Sequence, residues 1–175
     1  MGRKLFDYSA VPRSQRTLIL AAMLFGSVLG YFGISRFVMK AGEVNGDSMA
    51  PTLMDGQRFL INRIVYRVRD PRPGEIVALR LPGEQELCVK RIVAQPGDVL
   101  RIKAGGVQVN GRQLAEPYLP PGVVTTGGRL GSQAYKMAPS AFFVLGDNRK
   151  QSVDSRYFGA VQRLWLVGRV EYYGL

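Results

Sequence analysis

Three short segments hold the polar side chains of this chain that could do chemistry. They read GDSMAPTL at 46–53, ELCVKRIVAQPGD at 86–98 and VLGDNRKQSVDSRYFGAV at 144–161. The 175-residue chain contains no histidine and a single cysteine, Cys88. This excludes histidine-based hydrolase sites, imidazole metal sites, histidine pH switches, intrachain disulfides and thiolate zinc clusters. A hydrolase built from this chain must therefore use a carboxylate or a lysine as its base.

The first segment offers a serine at a turn. Ser48 lies between Gly46-Asp47 and Met49-Ala50-Pro51, where the chain must change direction, and exposed turns present side chains to clefts. Taken alone, Ser48 is a weak candidate for a nucleophile, and a turn serine or a helix cap is the favoured interpretation.

The second segment offers a lysine on an apolar strand. Alternation puts Lys90 on one face with Cys88 and Ile92, and puts Arg91 on the other face between two valines. Burial in a low-dielectric environment lowers the pKa of a lysine and would make Lys90 a working base. Both faces are apolar, however, so alternation does not decide whether Lys90 or Arg91 points inward.

The third segment concentrates acids, arginines and small polar residues between two apolar runs. Asp147 or Asp154 could form a buried ion pair with Arg149 or Arg156 and brace a nearby site. A polar loop with turn-capping Asp and Asn residues is the alternative.

Residues 17–34 form an uncharged apolar run bounded by Arg16 and Arg36. With residues 35–39 the run is long enough to cross a bilayer, which predicts a single transmembrane anchor over 17–39. A cleaved secretory signal is the alternative, but Met39-Lys40-Ala41 lacks small residues at both positions of a processing site. Four basic residues against one acidic residue in 1–16 predict a cytoplasmic N-terminus.

The net charge of +11 would suit a nucleic-acid or anionic-membrane surface. The anchor divides this charge into about +3 in the tail and about +8 in the exported part. The surplus therefore faces the membrane surface, and we expect no nucleic-acid partner. Gly26 and Gly30 form a possible helix-dimer pair, although a monomer is the expected state.

The remainder, 40–175, is predicted to be one mainly β domain. From residue 57 onward, β-branched and aromatic runs alternate with Pro-Gly turns and show no helical periodicity. Asn110-Gly111 between alternating flanks predicts a hairpin within a small insertion at 99–143. The last fifteen residues are expected to form closing strands with Trp165 as a core anchor.

Taken together, GDSMAPTL, KRIVAQPGD and GDNRKQSVDSRYFG, in this order behind an N-terminal anchor, resemble the signature segments of bacterial type I signal peptidases. The resemblance covers nearly the whole chain from about residue 17. It implies a mostly antiparallel, barrel-like β fold and a membrane-bound endopeptidase that removes signal peptides at small-x-small sites, with no cofactor or metal.

The resemblance also implies roles for individual residues. Ser48 would be the nucleophile, Lys90 the neutral general base, and Ser152 the hydroxyl that orients the lysine nitrogen. Gly46 occupies the position where some family members carry a hydroxyl that stabilises the oxyanion. Here a backbone N–H must donate to the oxyanion instead, or the oxyanion is stabilised less strongly. The supporting positions that match the third segment are Gly146, Asp147, Arg149, Asp154 and Arg156.

The family further implies that an extended precursor pairs with strand edges near 44–48 and 86–90. Asp47, Met49 and Val89 are the substrate-contacting residues expected there. The partners would be precursor proteins and the lipid bilayer, with the catalytic domain on the outer face of a bacterial cytoplasmic membrane.

Three alternatives remain open. A peptidase dedicated to one secretion or pilus system would keep the same site. A self-cleaving repressor-like protease would also use serine and lysine, but it would carry a DNA-binding region where this chain has an apolar span. A non-catalytic, membrane-anchored β domain that binds polyanions would explain the charge alone.

Overall fold

An uninterrupted helix, α1 (Arg13–Val38), opens the part of the chain that the computed structural model describes, residues 12–171. Its stretch Ser14–Gly33 is long and apolar enough to cross a membrane. The helix starts four residues before the predicted anchor, because the polar turn after Pro12 is helical as well. It ends one residue early, since Met39 already belongs to a strand. The basic residues Arg3 and Lys4 of the predicted tail lie outside the described residues.

The chain divides after Val38, and a second unit begins at Met39. Seven antiparallel strands form its main sheet in the order β1-β2-β11-β3-β4-β9-β10. The strands are β1 (Met39–Glu43), β2 (Arg58–Asn62), β3 (Ile76–Leu79), β4 (Cys88–Ala94), β9 (Ala141–Leu145), β10 (Val161–Gln162) and β11 (Leu166–Glu171). The prediction of a mainly β, mostly antiparallel fold behind one apolar helix is confirmed.

The predicted insertion contains a second, four-stranded sheet in the order β7-β6-β5-β8. Its strands are β5 (Val99–Lys103), β6 (Gly106–Val109), β7 (Arg112–Gln113) and β8 (Tyr135–Lys136). Asn110 and Gly111 join β6 to β7 with φ angles of 52° and 78°, as a two-residue hairpin of this composition requires.

The central strand β4 is buried on both sides from Lys90 to its end. Ile92 packs in a cluster with Val77 of β3 and Val144 of β9, whereas Val93 packs in a different cluster with Leu100 of β5. A strand covered on both faces carries apolar residues at every position, which explains why its alternation is uninformative.

Two sequence expectations differ from the structure. The run after β2 is not all strand, because Val65–Val68 forms one helical turn, α2, whose first N–H groups donate to the Asn62 side chain. Trp165 is half-buried in a 3-10 turn at Arg163–Trp165 and packs at the edge of a cluster, so it is not a central core anchor. A further short helix, α3 (Ser155–Phe158), lies within the third polar segment.

Candidate active site

Ser48 and Lys90 meet although 42 positions separate them in the chain. The Nζ atom of Lys90 lies 2.8 Å from the Oγ atom of Ser48. Only 5% of Lys90 is exposed, and this burial lowers the pKa of its amine, partly opposed by Coulombic interactions with Cys88 and Asp154. A buried amine with a lowered pKa, in contact with a serine hydroxyl, can accept the hydroxyl proton.

Buried side chains and backbone hydrogen bonds hold the turn that carries Ser48. Met49 and Leu53 are fully buried beneath it, and the Leu53 N–H donates to the Met49 carbonyl at 3.0 Å. On its other side, the Asn148 N–H donates to the Ser48 carbonyl at 3.1 Å. The peptide bond between Ala50 and Pro51 is cis. These contacts fix the backbone of the serine while leaving its side chain beside the lysine.

The backbone donors around Ser48 differ from the expectation for Gly46. The Gly46 N–H donates to Oδ1 of Asp55 at 2.7 Å and is therefore engaged. Among residues 12–171 the Ser48 N–H donates no hydrogen bond and is available to an oxyanion. Of these two backbone donors, only that of Ser48 is free within the described residues.

Gly146 lies against both serines of the site. A methyl group at this position would come within 2.1 Å of Ser152 Oγ and 2.4 Å of the Ser48 carbonyl oxygen, so only glycine fits. Ser152 is buried, and its Oγ has no hydrogen-bond partner within the described chain. The hydrogen bond predicted from Ser152 to Lys90 is therefore not formed in this structure.

The strand places Arg91 inside the protein as well as Lys90. Arg91 donates two hydrogen bonds to the Asp147 carboxylate, at 2.9 and 2.6 Å, and its guanidinium lies 3.8 Å from the Tyr118 ring centroid. Asp147 also accepts from the Thr52 hydroxyl at 2.5 Å. Lys90 and Arg91 therefore both point into the protein, because the strand has two buried faces and each face holds one of the two cations.

Two further buried ion pairs brace the third segment. Arg156 donates to both oxygens of Asp154, at 2.8 and 2.7 Å, and Asp154 accepts the Gly146 N–H at 3.0 Å. Arg149 donates to the Gly146 carbonyl at 3.0 Å and to Glu116 at 2.5 Å. The alternative of a solvated polar loop is excluded, since all four of the predicted supporting Asp and Arg residues are buried.

Sequence reasoning missed Glu116, Thr125, Thr52 and Tyr118. Glu116 and Thr125 bind Arg149 from the insertion, and Tyr118 donates to Glu116 at 2.8 Å. Glu116, Tyr118 and Thr125 lie in a Pro- and Gly-rich stretch without periodicity, so no spacing connects them to the site, whereas Thr52 lies inside the first segment itself. The one available indication was an isolated acid, Glu116, in a stretch without other charges up to Arg129.

A cleft of about 560 Å³ opens beside the dyad. Met49 and Val89, two of the three predicted substrate-contacting residues, line it, whereas Asp47 is exposed and does not. Its walls come from segments 40–45 and 84–90, together with Phe59 and Arg80. Across residues 12–171 no group of three or more His, Cys, Asp or Glu side chains could hold a metal ion.

Comparison with known proteins gives consistent matches. Residues 15–173 match the family described as "Signal peptidase, peptidase S26". A probable signal peptidase I-2 from Synechocystis is 37% identical over 171 residues, covering 90% of this chain and 73% of the relative. Signal peptidase I from Bacillus amyloliquefaciens is 37% identical over 157 residues, with coverages of 85% and 78%. A crystal structure of a signal peptidase I from Enterococcus faecalis is 27% identical with a TM-score of 0.46, covering 58% of this chain and 97% of that one.

Proposed function

This chain belongs to the peptidase S26 family of signal peptidases, and we propose that Ser48 and Lys90 are the residues with which it cleaves signal peptides. The family, the fold class and the activity expected from the sequence are confirmed. The contact of 2.8 Å between Lys90 Nζ and Ser48 Oγ carries the proposal for the site.

In the proposed reaction, Ser48 Oγ attacks the carbonyl carbon of the scissile bond while its proton passes to Lys90 Nζ. The tetrahedral intermediate then collapses, the peptide C–N bond breaks, and the lysine returns the proton to the leaving amine of the mature protein. A water molecule then gives a proton to Lys90 and attacks the resulting ester. The ester C–O bond breaks, Ser48 Oγ takes the proton back from Lys90, and the signal peptide leaves with a new terminal carboxyl group. The Ser48 N–H stabilises the oxyanion of each intermediate.

The cleft supports the proposed preference for small side chains. Gly42 of β1 faces the Phe59 ring so closely that a methyl group on Gly42 would lie 2.7 Å from it. Phe59 and Met49 are buried and line the cleft, which leaves little depth for a side chain beside Ser48. An extended precursor would add to the edge formed by 40–45 and by the segment before β4, in the manner of an additional strand.

The membrane part of the proposal follows from the family and the helix. The signal peptidase I family is membrane-anchored, and α1 contains an apolar stretch long enough to span a bilayer. We assign the basic tail 1–16 to the cytoplasm, 17–39 to the anchor and 40–175 to the outer face of a bacterial cytoplasmic membrane, with a monomer as the working unit. A tag at the N-terminus that reacts with an impermeant reagent outside intact cells would contradict this orientation.

The decisive experiment compares matched variants on one substrate. Detergent-solubilised full-length protein is incubated with a precursor carrying alanine at positions −1 and −3 of its signal peptide. Ser48→Ala and Lys90→Ala are expected to abolish cleavage, whereas the exposed controls Ser132→Ala and Lys103→Ala retain it. Cleavage at the wild-type rate by either site variant would refute the assignment, and so would loss of activity on adding a chelator.

A further inference from the structure

A second cleft, with no Ser48 or Lys90 in its wall, is lined in part by Leu166 and Val167 of β11. It has a volume of about 550 Å³ and is lined by three arginines, Arg63, Arg67 and Arg163. Among its described lining residues there is no carboxylate. The wall therefore presents a concentration of positive charge in a concave surface.

Two of these arginines have no partner for their charge. Arg63 and Arg67 are exposed, and within the described chain their guanidinium groups form no ion pair or hydrogen bond. Arg163, in contrast, is held in place by Asp70 at 2.6 Å and by the Tyr66 carbonyl at 2.7 Å. The cleft thus has one fixed guanidinium and two that remain available to an anion.

Exposed apolar side chains flank the arginines. Leu164, which lines the cleft, is 82% exposed, and Val68, next to Arg67, is 77% exposed. They are the two most exposed large apolar side chains of the described catalytic unit. Arginines beside exposed aliphatic residues match the chemistry of a membrane surface, where phosphate groups lie above acyl chains.

The first strand of the second unit pairs with the segment that leads to this cleft. Met39, the first residue after α1, pairs with Asn62 of β2, and Arg63 follows Asn62 directly. The strand pair that opens the second unit therefore ends at the arginine cleft.

From this combination we propose that the cleft binds the phosphate headgroups of anionic phospholipids. Guanidinium groups bind phosphate oxygens through paired hydrogen bonds, and Arg63 and Arg67 would supply them. Leu164 and Val68 would enter the interfacial region beside the headgroup. This binding would hold the catalytic unit at the bilayer surface independently of the chemistry at Ser48.

Trp165, the sole tryptophan of the chain, provides the probe because it lies next to Leu164 in the sequence. Full-length protein is placed in phosphatidylcholine nanodiscs with increasing fractions of phosphatidylglycerol, either lipid carrying brominated acyl chains that quench tryptophan fluorescence. Brominated phosphatidylglycerol is expected to quench Trp165 at several-fold lower fractions than brominated phosphatidylcholine. Equal quenching by the two lipids would overturn the proposal.

Variants then locate the binding. Each cation beside an anionic surface contributes on the order of a fivefold increase in binding, so Arg63→Gln with Arg67→Gln should weaken the phosphatidylglycerol effect roughly 30-fold. The matched pair Arg101→Gln with Arg112→Gln, exposed on the small sheet, removes the same charge and should leave it unchanged.

Two further measurements separate the remaining outcomes. Replacing Arg63 and Arg67 with lysine keeps the charge but removes the paired hydrogen bonds, so it should weaken binding less than the glutamine pair does. Retained precursor cleavage shows that each variant is folded. An equal loss in both glutamine pairs would refute a localised site. Reversal of the quenching by millimolar inorganic phosphate would show that the ligand is free phosphate and would overturn the assignment to lipid.

Discussion

Replacing Gly146 with alanine places a methyl group against the backbone of the nucleophile. The Cβ atom would lie 2.4 Å from the Ser48 carbonyl oxygen, whereas such contacts do not fall below about 3.0 Å. Since Gly146 does not have a positive φ, the substitution adds no backbone strain and its effect is purely steric. Ser48 or Gly146 must therefore move by about 0.6 Å. Because a misplacement of about 1 Å costs on the order of 100-fold in rate, we expect kcat/KM to fall by about 10- to 30-fold.

The assay measures kcat/KM on a signal-peptide precursor together with the thermal unfolding midpoint. Gly168→Ala is the matched control, because its methyl group would also lie 2.4 Å from a backbone oxygen, that of Asn62, in a different part of the sheet. Both variants should unfold at lower temperature, but only Gly146→Ala should lose activity at temperatures where it is fully folded. Equal losses of activity in the two variants, or none in Gly146→Ala, would refute the reasoning.

Three more predictions follow from the same contacts. The cleavage rate should rise with pH as Lys90 loses its proton. Because burial lowers the pKa of Lys90, the rate should level off below pH 10.5. A rate that does not change with pH would contradict a lysine base. Lys90→Met should abolish cleavage and raise the thermal unfolding midpoint at neutral pH. The unfolded chain binds the lysine proton more tightly than the folded one, so the gain in stability over the wild type should shrink as the pH rises towards 10.5. Asp147→Asn removes the charge that pairs with buried Arg91 and should lower the free energy of unfolding, measured by denaturant titration, by about 3–5 kcal/mol. The exposed control Glu84→Gln should lower it by roughly 0.5 kcal/mol or less.

The sequence predicted the chemistry of the site better than its geometry. The absence of histidine left a carboxylate or a lysine as the base, and the resemblance to signal peptidases implied Ser48 and Lys90. The structure brings these two side chains into contact. Alternation did not decide between Lys90 and Arg91, because it assumes a strand with one buried face. β4 is covered on both sides, and so both residues are buried.

The features that sequence could not predict depend on long-range contacts. Glu116 reaches Arg149 from 33 positions away, and nothing in its local pattern marks it as buried. The engagement of Gly46 by Asp55 likewise depends on how the turn closes, which residue types alone do not specify. By contrast, the Asn110-Gly111 hairpin was predictable, because its φ angles are a local property of these two residues.

The position of the final strand in the main sheet has a consequence for when the enzyme becomes active. Among residues 12–171 β11 is the last strand, yet it is third in the sheet, between β2 and β3, and the Ser48 carbonyl accepts from an N–H one hundred positions later. Pairings between such distant segments form late, because their loop-closure cost comes first. A chain that is still being synthesised therefore carries its serine and lysine long before it carries a working peptidase. The topology therefore delays proteolysis until β11 has been synthesised and paired.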